Sequence, residues 1–222
     1  IDGLSNDQAW DIVNATGDFI CVSPFNGKDI KEAFQTTWKS IYDNQAIYFL
    51  IQMNDPCPDS ILRQLSQRDK LYASNSDQVE IIINPYNDGL LDYSFTVSAS
   101  GVQADTKRSQ QSNETNWNEV WNSKVKINNK GWTAEIKIPY SALRFPKKNV
   151  QEWGFNVQRN IRRIREFYSW NYIDASKENI SDQSGIIKGL NNIDPPIRLG
   201  LYPYVSTAIS QDDKKTRSII NG

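Results

Sequence analysis

The chain has 222 residues, with 25 Lys and Arg against 26 Asp and Glu, a net charge of -1, 38% hydrophobic residues and no histidine. That length buries a core without metal or disulfide staples, and the missing imidazole excludes Ser-His-Asp and Cys-His nucleophile systems, His-bearing zinc sites and imidazole proton shuttles. Balanced charge also lacks the basic excess of a nucleic-acid binder, so no nucleic-acid partner is expected.

In chain order, Asp2, Asn6 and Asp7 interrupt any signal-like apolar stretch at the start. Thr36 to Tyr42 reads as a strand, and Ala46 to Met53, apolar on both faces, as a central one. Its longest apolar run, Ala46 to Ile51, is far short of the roughly 20 residues of a bilayer helix. Ile61 to Asp69 reads as a short helix. Gln78 to Asn84 and Asp92 to Ser98 form a strand pair across the turn residues Pro85 to Gly89. Next, Trp121, Val125 and Ile127 alternate with Lys124 and Lys126, and Asn128 to Gly131 supplies a turn. Trp132, Ala134, Ile136 and Ile138 then alternate with Thr133, Glu135 and Lys137, completing a hairpin that Pro139 ends. Tyr140 to Leu143 makes one helical turn. Strands follow at Trp153 to Ile161, Phe167 to Ile173 and Gly185 to Leu190, and Asp194-Pro195-Pro196 marks a boundary. These elements predict an all-β sandwich of two antiparallel sheets, roughly ten strands with jelly-roll or immunoglobulin-like architecture, over residues 1–194. Residues 195–222, with one more strand over Arg198 to Ala208, read as a linker and the start of a following domain.

The 7 Trp, 10 Tyr and 8 Phe need a reason. Pyranose rings stack C-H patches on Trp and Tyr faces and bind hydroxyls through carboxylates and amides, so carbohydrate is the ligand class indicated. Alternation turns Trp10, Trp38, Trp121, Trp132 and Trp153 inward. Trp117, in a polar segment, and Trp170, flanked by Tyr168 and Tyr172, are left as candidate stacking surfaces. The basic run Arg159 to Arg165 is either a contact for an anionic sugar or lipopolysaccharide phosphate, or a solvated strand end paired with Glu166 and Glu152. Asp55, Asp59, Asp69, Asp77, Asn84, Asn87, Asp88, Asp92 and Asp105 leave two readings open, a structural calcium or ordinary turn chemistry, with no EF-hand spacing among them. No other cofactor is expected. An enzyme would take two carboxylates, such as Glu119 and Glu166, as a glycosidase acid and base, but outward-facing strand glutamates are ordinary, so no enzyme is expected. Cys21 and Cys57 are either one disulfide or two buried thiols.

An ordered motif series runs through the chain. It includes Ile1-Asp2-Gly3 with Trp10, Ile41-Tyr42-Asp43, Arg68-Asp69, Asp77-Gln78-Val79-Glu80, Gly101-Val102-Gln103-Ala104-Asp105, Gly131-Trp132, Leu143-Arg144-Phe145 and Trp153-Gly154-Phe155-Asn156. From Ile1 to about Leu190 it resembles the carbohydrate-binding module family 9-like domain that begins bacterial envelope proteins carrying a barrel-like outer-membrane domain. Leu201-Tyr202-Pro203-Tyr204-Val205 resembles the entry to that barrel. The resemblance implies a non-catalytic β-sandwich exported to the periplasm or outer membrane of a Gram-negative bacterium. It would meet the membrane only through the downstream domain, and its partners would be a carbohydrate or envelope glycan and the adjoining barrel. Sugar-binding members grip a ring between two Trp, and those positions hold Ser74 and Ser181 here. Glu80, Gln158 and Asn160 match the polar positions, and alternation sets Gln158 and Asn160 opposite Trp153, Phe155 and Val157. The resemblance therefore implies a carbohydrate module with a modified or lost sugar site; the alternative is a structural or plug-like module that packs on the barrel or a partner protein without sugar.

Overall fold

The computed structural model describes residues 1–109, 112–115, 117–177, 179–196, 203–212 and 215–221. In chain order its strands are β1 (Ile20–Ser23), β2 (Thr36–Tyr42), β3 (Ala46–Asn54), β4 (Gln78–Asn84), β5 (Leu91–Ser98), β6 (Gln103–Ser109) and β7 (Asn113–Glu114). They continue with β8 (Asn122–Asn128), β9 (Gly131–Pro139), β10 (Val150–Ile161), β11 (Glu166–Ser169), β12 (Gly185–Asn191), β13 (Ser206–Asp212) and β14 (Lys215–Asn221). One sheet has the order β2-β3-β9-β8 and the other β1-β11-β10-β4-β5-β6-β7, with β12 also pairing β10. The pairings are antiparallel, so the all-β sandwich of two antiparallel sheets stands. β13 and β14 pair with each other; Leu201 and Tyr202 lie outside the described residues. Among the described residues no helix is long and apolar enough to cross a membrane.

Alternation builds the core. Val79, Ile81 and Ile83 of β4, Tyr93, Phe95 and Val97 of β5, and Trp153, Phe155 and Val157 of β10 meet Ile47, Phe49 and Ile51 of β3 and the Trp132 to Ile138 row of β9. Phe49 and Phe155 stack across the sheets at 5.3 Å between ring centres. Each such buried side chain contributes about 1.5–3 kcal/mol. Trp10, Trp38, Trp121, Trp132 and Trp153 are all buried as read from sequence. Trp10, however, lies against the outer side of β9, where its indole N-H donates to Glu135 Oε1 at 3.4 Å. The other oxygen of Glu135 accepts from the backbone N-H groups of Asp2 and Gly3 at 2.7 and 3.1 Å.

Three expectations are corrected. Ile61 to Asp69 is not helical: its backbone is drawn to the sheet edge, where Asp77 N-H donates to Leu62 O at 2.8 Å and Gln64 N-H to Asn75 O at 3.3 Å. β11 stops at Ser169, short of Ile173. Cys21 and Cys57 are both free; Cys21 is buried and its thiol donates to Ser23 O, while Cys57 is exposed, so they are neither a disulfide nor two buried thiols.

Candidate functional site

Period two gives the larger sheet an outer face opposite its aromatic core. In β10 that face carries Asn156, Gln158 and Asn160. The register sets Gln158 opposite Glu80 of β4, Glu80 opposite Thr96 of β5, and Asn160 between Gln78 and Phe167 of β11. Glu80, Gln158 and Asn160 thus converge on one cavity of about 220 Å³, walled also by Arg108, Tyr72 and Phe167. Arg108 lies 2.5 Å from Glu80 Oε1, which also accepts the Ser94 hydroxyl, and among the described residues Oε2 has no partner. Gln158 is only 4% exposed, and its side-chain amide has no hydrogen-bond partner among the described residues. The amide faces the cavity, where a ligand hydroxyl can meet both its donor and its acceptor atoms. Neighbouring Asn156 is committed, its oxygen accepting from Ser169 Oγ and Asn171 N-H at 3.0 Å each.

Beneath this face β10 turns into β11 over a buried charge cluster. Arg159, fully buried, donates to Phe34 O at 2.6 Å, Thr36 Oγ1 at 2.8 Å and Asn54 O at 2.8 Å. Burial lowers its pKa to about 10 against the opposing pull of Asp77 and Asp55. Asp77 accepts the Arg162 N-H at 3.0 Å, and burial raises its pKa to about 6 despite that bond and the nearby Arg159 charge. Arg163 pairs with Asp55 at 2.8 Å. Burial pushes the Glu166 carboxyl up, but Lys31 and the Tyr168 hydroxyl outweigh it and hold the group below its ordinary value. The basic run is therefore neither wholly a ligand contact nor wholly solvated, because half of its arginines serve the fold.

The two tryptophans proposed for stacking lie elsewhere. Trp170 packs on Trp38 and Phe155 at 5.1 and 5.7 Å, because in β11 and its extension Tyr168 and Trp170 point to the core and Phe167 and Ser169 point out. Trp117 packs on Tyr93 and Phe95 at 5.2 and 5.7 Å, on the core side of β5, with the Lys107 ammonium 5.3 Å from its ring centre. Both rings are partly buried against the core and neither lines the Glu80 cavity. Ser74 is buried, its hydroxyl donating to Gln64 O at 3.1 Å, and the Ser181 hydroxyl donates to Asp92. Tyr72, two residues before Ser74 and 80% exposed, and Phe167 are the rings that line the cavity. Sequence reading missed both, and Arg108 with them; Phe167 is placed by its pairing with Asn160, which no local pattern signals.

The acidic groups considered for calcium engage the protein: Asp55 with Arg163, Asp69 with the Asp105 N-H, Asp105 with Arg68 and the Trp121 indole, Asp92 with Ser181. Among the described residues three carboxylates approach one another at Asp2, Asp7 and Glu135, outside that set. Glu119 sits beside Asp105 through its backbone N-H, apart from the Lys31 and Tyr168 partners of Glu166.

The family model for the carbohydrate family 9 binding domain-like group matches residues 1–177. The chain belongs to that family. No curated protein sequence matches the module. Among solved structures it is similar to a carbohydrate-binding module of family 9 from Caldicellulosiruptor kristjanssonii in complex with cellotriose. That pair shares 20% identity over 91% of this chain and 94% of the other, with a TM-score of 0.61. The glucose complex of a Caldicellulosiruptor kristjanssonii family 9 module matches at 20% identity over 88% and 94%, TM-score 0.60. A candidate carbohydrate-binding protein from Bacteroides uniformis matches at 12% identity over 85% and 92%, TM-score 0.65. At these identities the structures speak for the family 9 fold alone.

Proposed function

We propose that this family 9-like domain is a non-catalytic carbohydrate-binding module whose sugar sits on the outer face of the larger sheet, over Gln158. The observation that carries this reading is the Gln158 amide, nearly buried, facing the cavity and without a partner among the described residues. Around it, Glu80 Oε2 accepts from a ligand hydroxyl, Asn160 both donates and accepts, and Arg108 fixes the Glu80 carboxylate. Tyr72 and Phe167 offer ring faces where the family's tryptophans are missing, so the site is modified rather than lost. The solved relatives hold cellotriose and glucose, which makes cello-oligosaccharides the first ligands to try. The setting in a bacterial envelope protein, periplasmic or outer-membrane, with a barrel domain beyond the module, rests on the resemblance of the ordered motif series.

Calorimetric titration with glucose and cellotriose tests the reading. Wild-type protein binds at least one of them, and Gln158→Ala weakens that binding about tenfold while its melting temperature holds, the loss being about one hydrogen-bonding group. Equal binding by wild type and Gln158→Ala, or no binding to any neutral or acidic glycan, would overturn it.

A further inference from the structure

The cavity over Gln158 does not stand alone. A second cavity of about 390 Å³ shares Arg108 and Gln158 with it, and a third of about 510 Å³ shares Asn160 and Phe167. The three follow successive outward residues of β10, from Asn156 through Gln158 and Asn160 to Arg162 in the turn that follows. Six residues of extended chain span roughly 20 Å, which is room for more than one sugar ring.

The two ends of this groove differ in charge. At the Asn156 end the carboxyl of Asp92 is bonded to Ser181, and burial, ahead of that bond, holds it above its ordinary pKa. At the turn end stand Arg162 and Arg165. Of the four arginines in the basic run, Arg159 and Arg163 are committed to buried acceptors and to Asp55. Arg162 and Arg165 have no ion-pair partner among the described residues, and both line the third cavity. The carboxylate in that cavity, Glu166, is already matched by Lys31 at 2.5 Å and by the Tyr168 hydroxyl. The turn is held in place as well: Arg162 N-H is bound by Asp77, and Arg165 N-H donates to Arg162 O at 3.2 Å. Two cations without ion-pair partners among the described residues, carried on a turn held next to Asn160 and Phe167, form a site for an anionic group attached to whatever occupies the neighbouring cavity.

We propose that the groove takes an acidic saccharide, with a neutral ring over Gln158 and a carboxylate or sulfate group between Arg162 and Arg165. This rests on the carbohydrate reading above, and the test separates the two. Three trisaccharides of one backbone are titrated by calorimetry at low salt: cellotriose, its counterpart oxidised to uronate at C6, and its counterpart sulfated at O6. Wild type binds an acidic form at least tenfold more tightly than cellotriose, and the tighter of the two forms identifies the anion. That advantage shrinks as salt is raised. It disappears in the Arg162→Gln/Arg165→Gln double variant, whose affinity for cellotriose stays within twofold of wild type. Equal affinity for neutral and acidic forms, or an acidic preference that survives in the double variant, overturns the anionic site while cellotriose binding that depends on Gln158 keeps the carbohydrate reading intact. If none of the three binds, both fall.

Discussion

On the inner side of β10, Trp153, Phe155, Val157 and Ile161 are sealed between the sheets, and the one charge among them, Arg159, has its guanidinium bonded to three oxygens of the facing sheet and the turn before it. On the outer side, one residue out of phase, Gln158 is nearly as buried, and among the described residues its amide has no partner and Arg162 has no carboxylate beside it. Burial alone therefore does not separate structure from function on this strand; what the polar group faces does, protein oxygens for Arg159 and an open cavity for Gln158. A polar group whose partners are all protein belongs to the fold, while one left open on a concave face is available to a ligand.

The comparison breaks most visibly at Arg159. Arg159→Ala strands three acceptors and leaves Asp77 and Asp55 without their buried neighbour, and urea unfolding is expected to show a loss of about 3–5 kcal/mol. A loss under about 1 kcal/mol would show that the three bonds of Arg159 do not hold the inner side together.

Asp77 gives the next effect. Its folded pKa of about 6 lies above the ordinary 3.8, so the folded state binds this proton more tightly than the unfolded chain does. Its contribution to stability is fully present below about pH 4 and is lost as pH rises through about 6, a swing of about 3 kcal/mol. Unfolding curves for wild type and Asp77→Asn between pH 4 and 7 should differ in slope by that amount, the variant being flatter.

Trp170 sharpens the contrast at smaller scale. Trp170→Ala should cost about 2–3 kcal/mol of stability, less than a full core cavity because the ring is only partly buried, and should leave sugar affinity unchanged. A large affinity loss with intact stability would return Trp170 to the binding surface.

Most of the scaffold was legible because its cues are local. β4, β5, β8 and β9 declare themselves by alternation and by Asn, Gly and Pro turns, and the outward placement of Gln158 and Asn160 follows from the same period of two. β6 was not legible, since its inward position is Asp105, buried by Arg68 and the Trp121 indole rather than by an apolar pattern. In β11 the aromatics occupy adjacent positions, so which of Phe167 and Tyr168 faces out depends on pairing with Asn160, a long-range fact. Tyr72 lies in a single helical turn, Leu71–Ala73, with no periodicity to aim it. The arginine run concealed a division of labour that only the positions of Asp55 and Asp77 reveal.

The most direct test of the carbohydrate site is a ¹⁵N-edited spectrum that follows the side-chain amide resonances of Gln158 and Asn160 as cellotriose is added. Binding over the outer face of β10 predicts saturable shifts of both amides, with the indole signals of Trp117 and Trp170 unmoved. Shifts centred on those indoles, or none at Gln158 while the sugar binds, would contradict it.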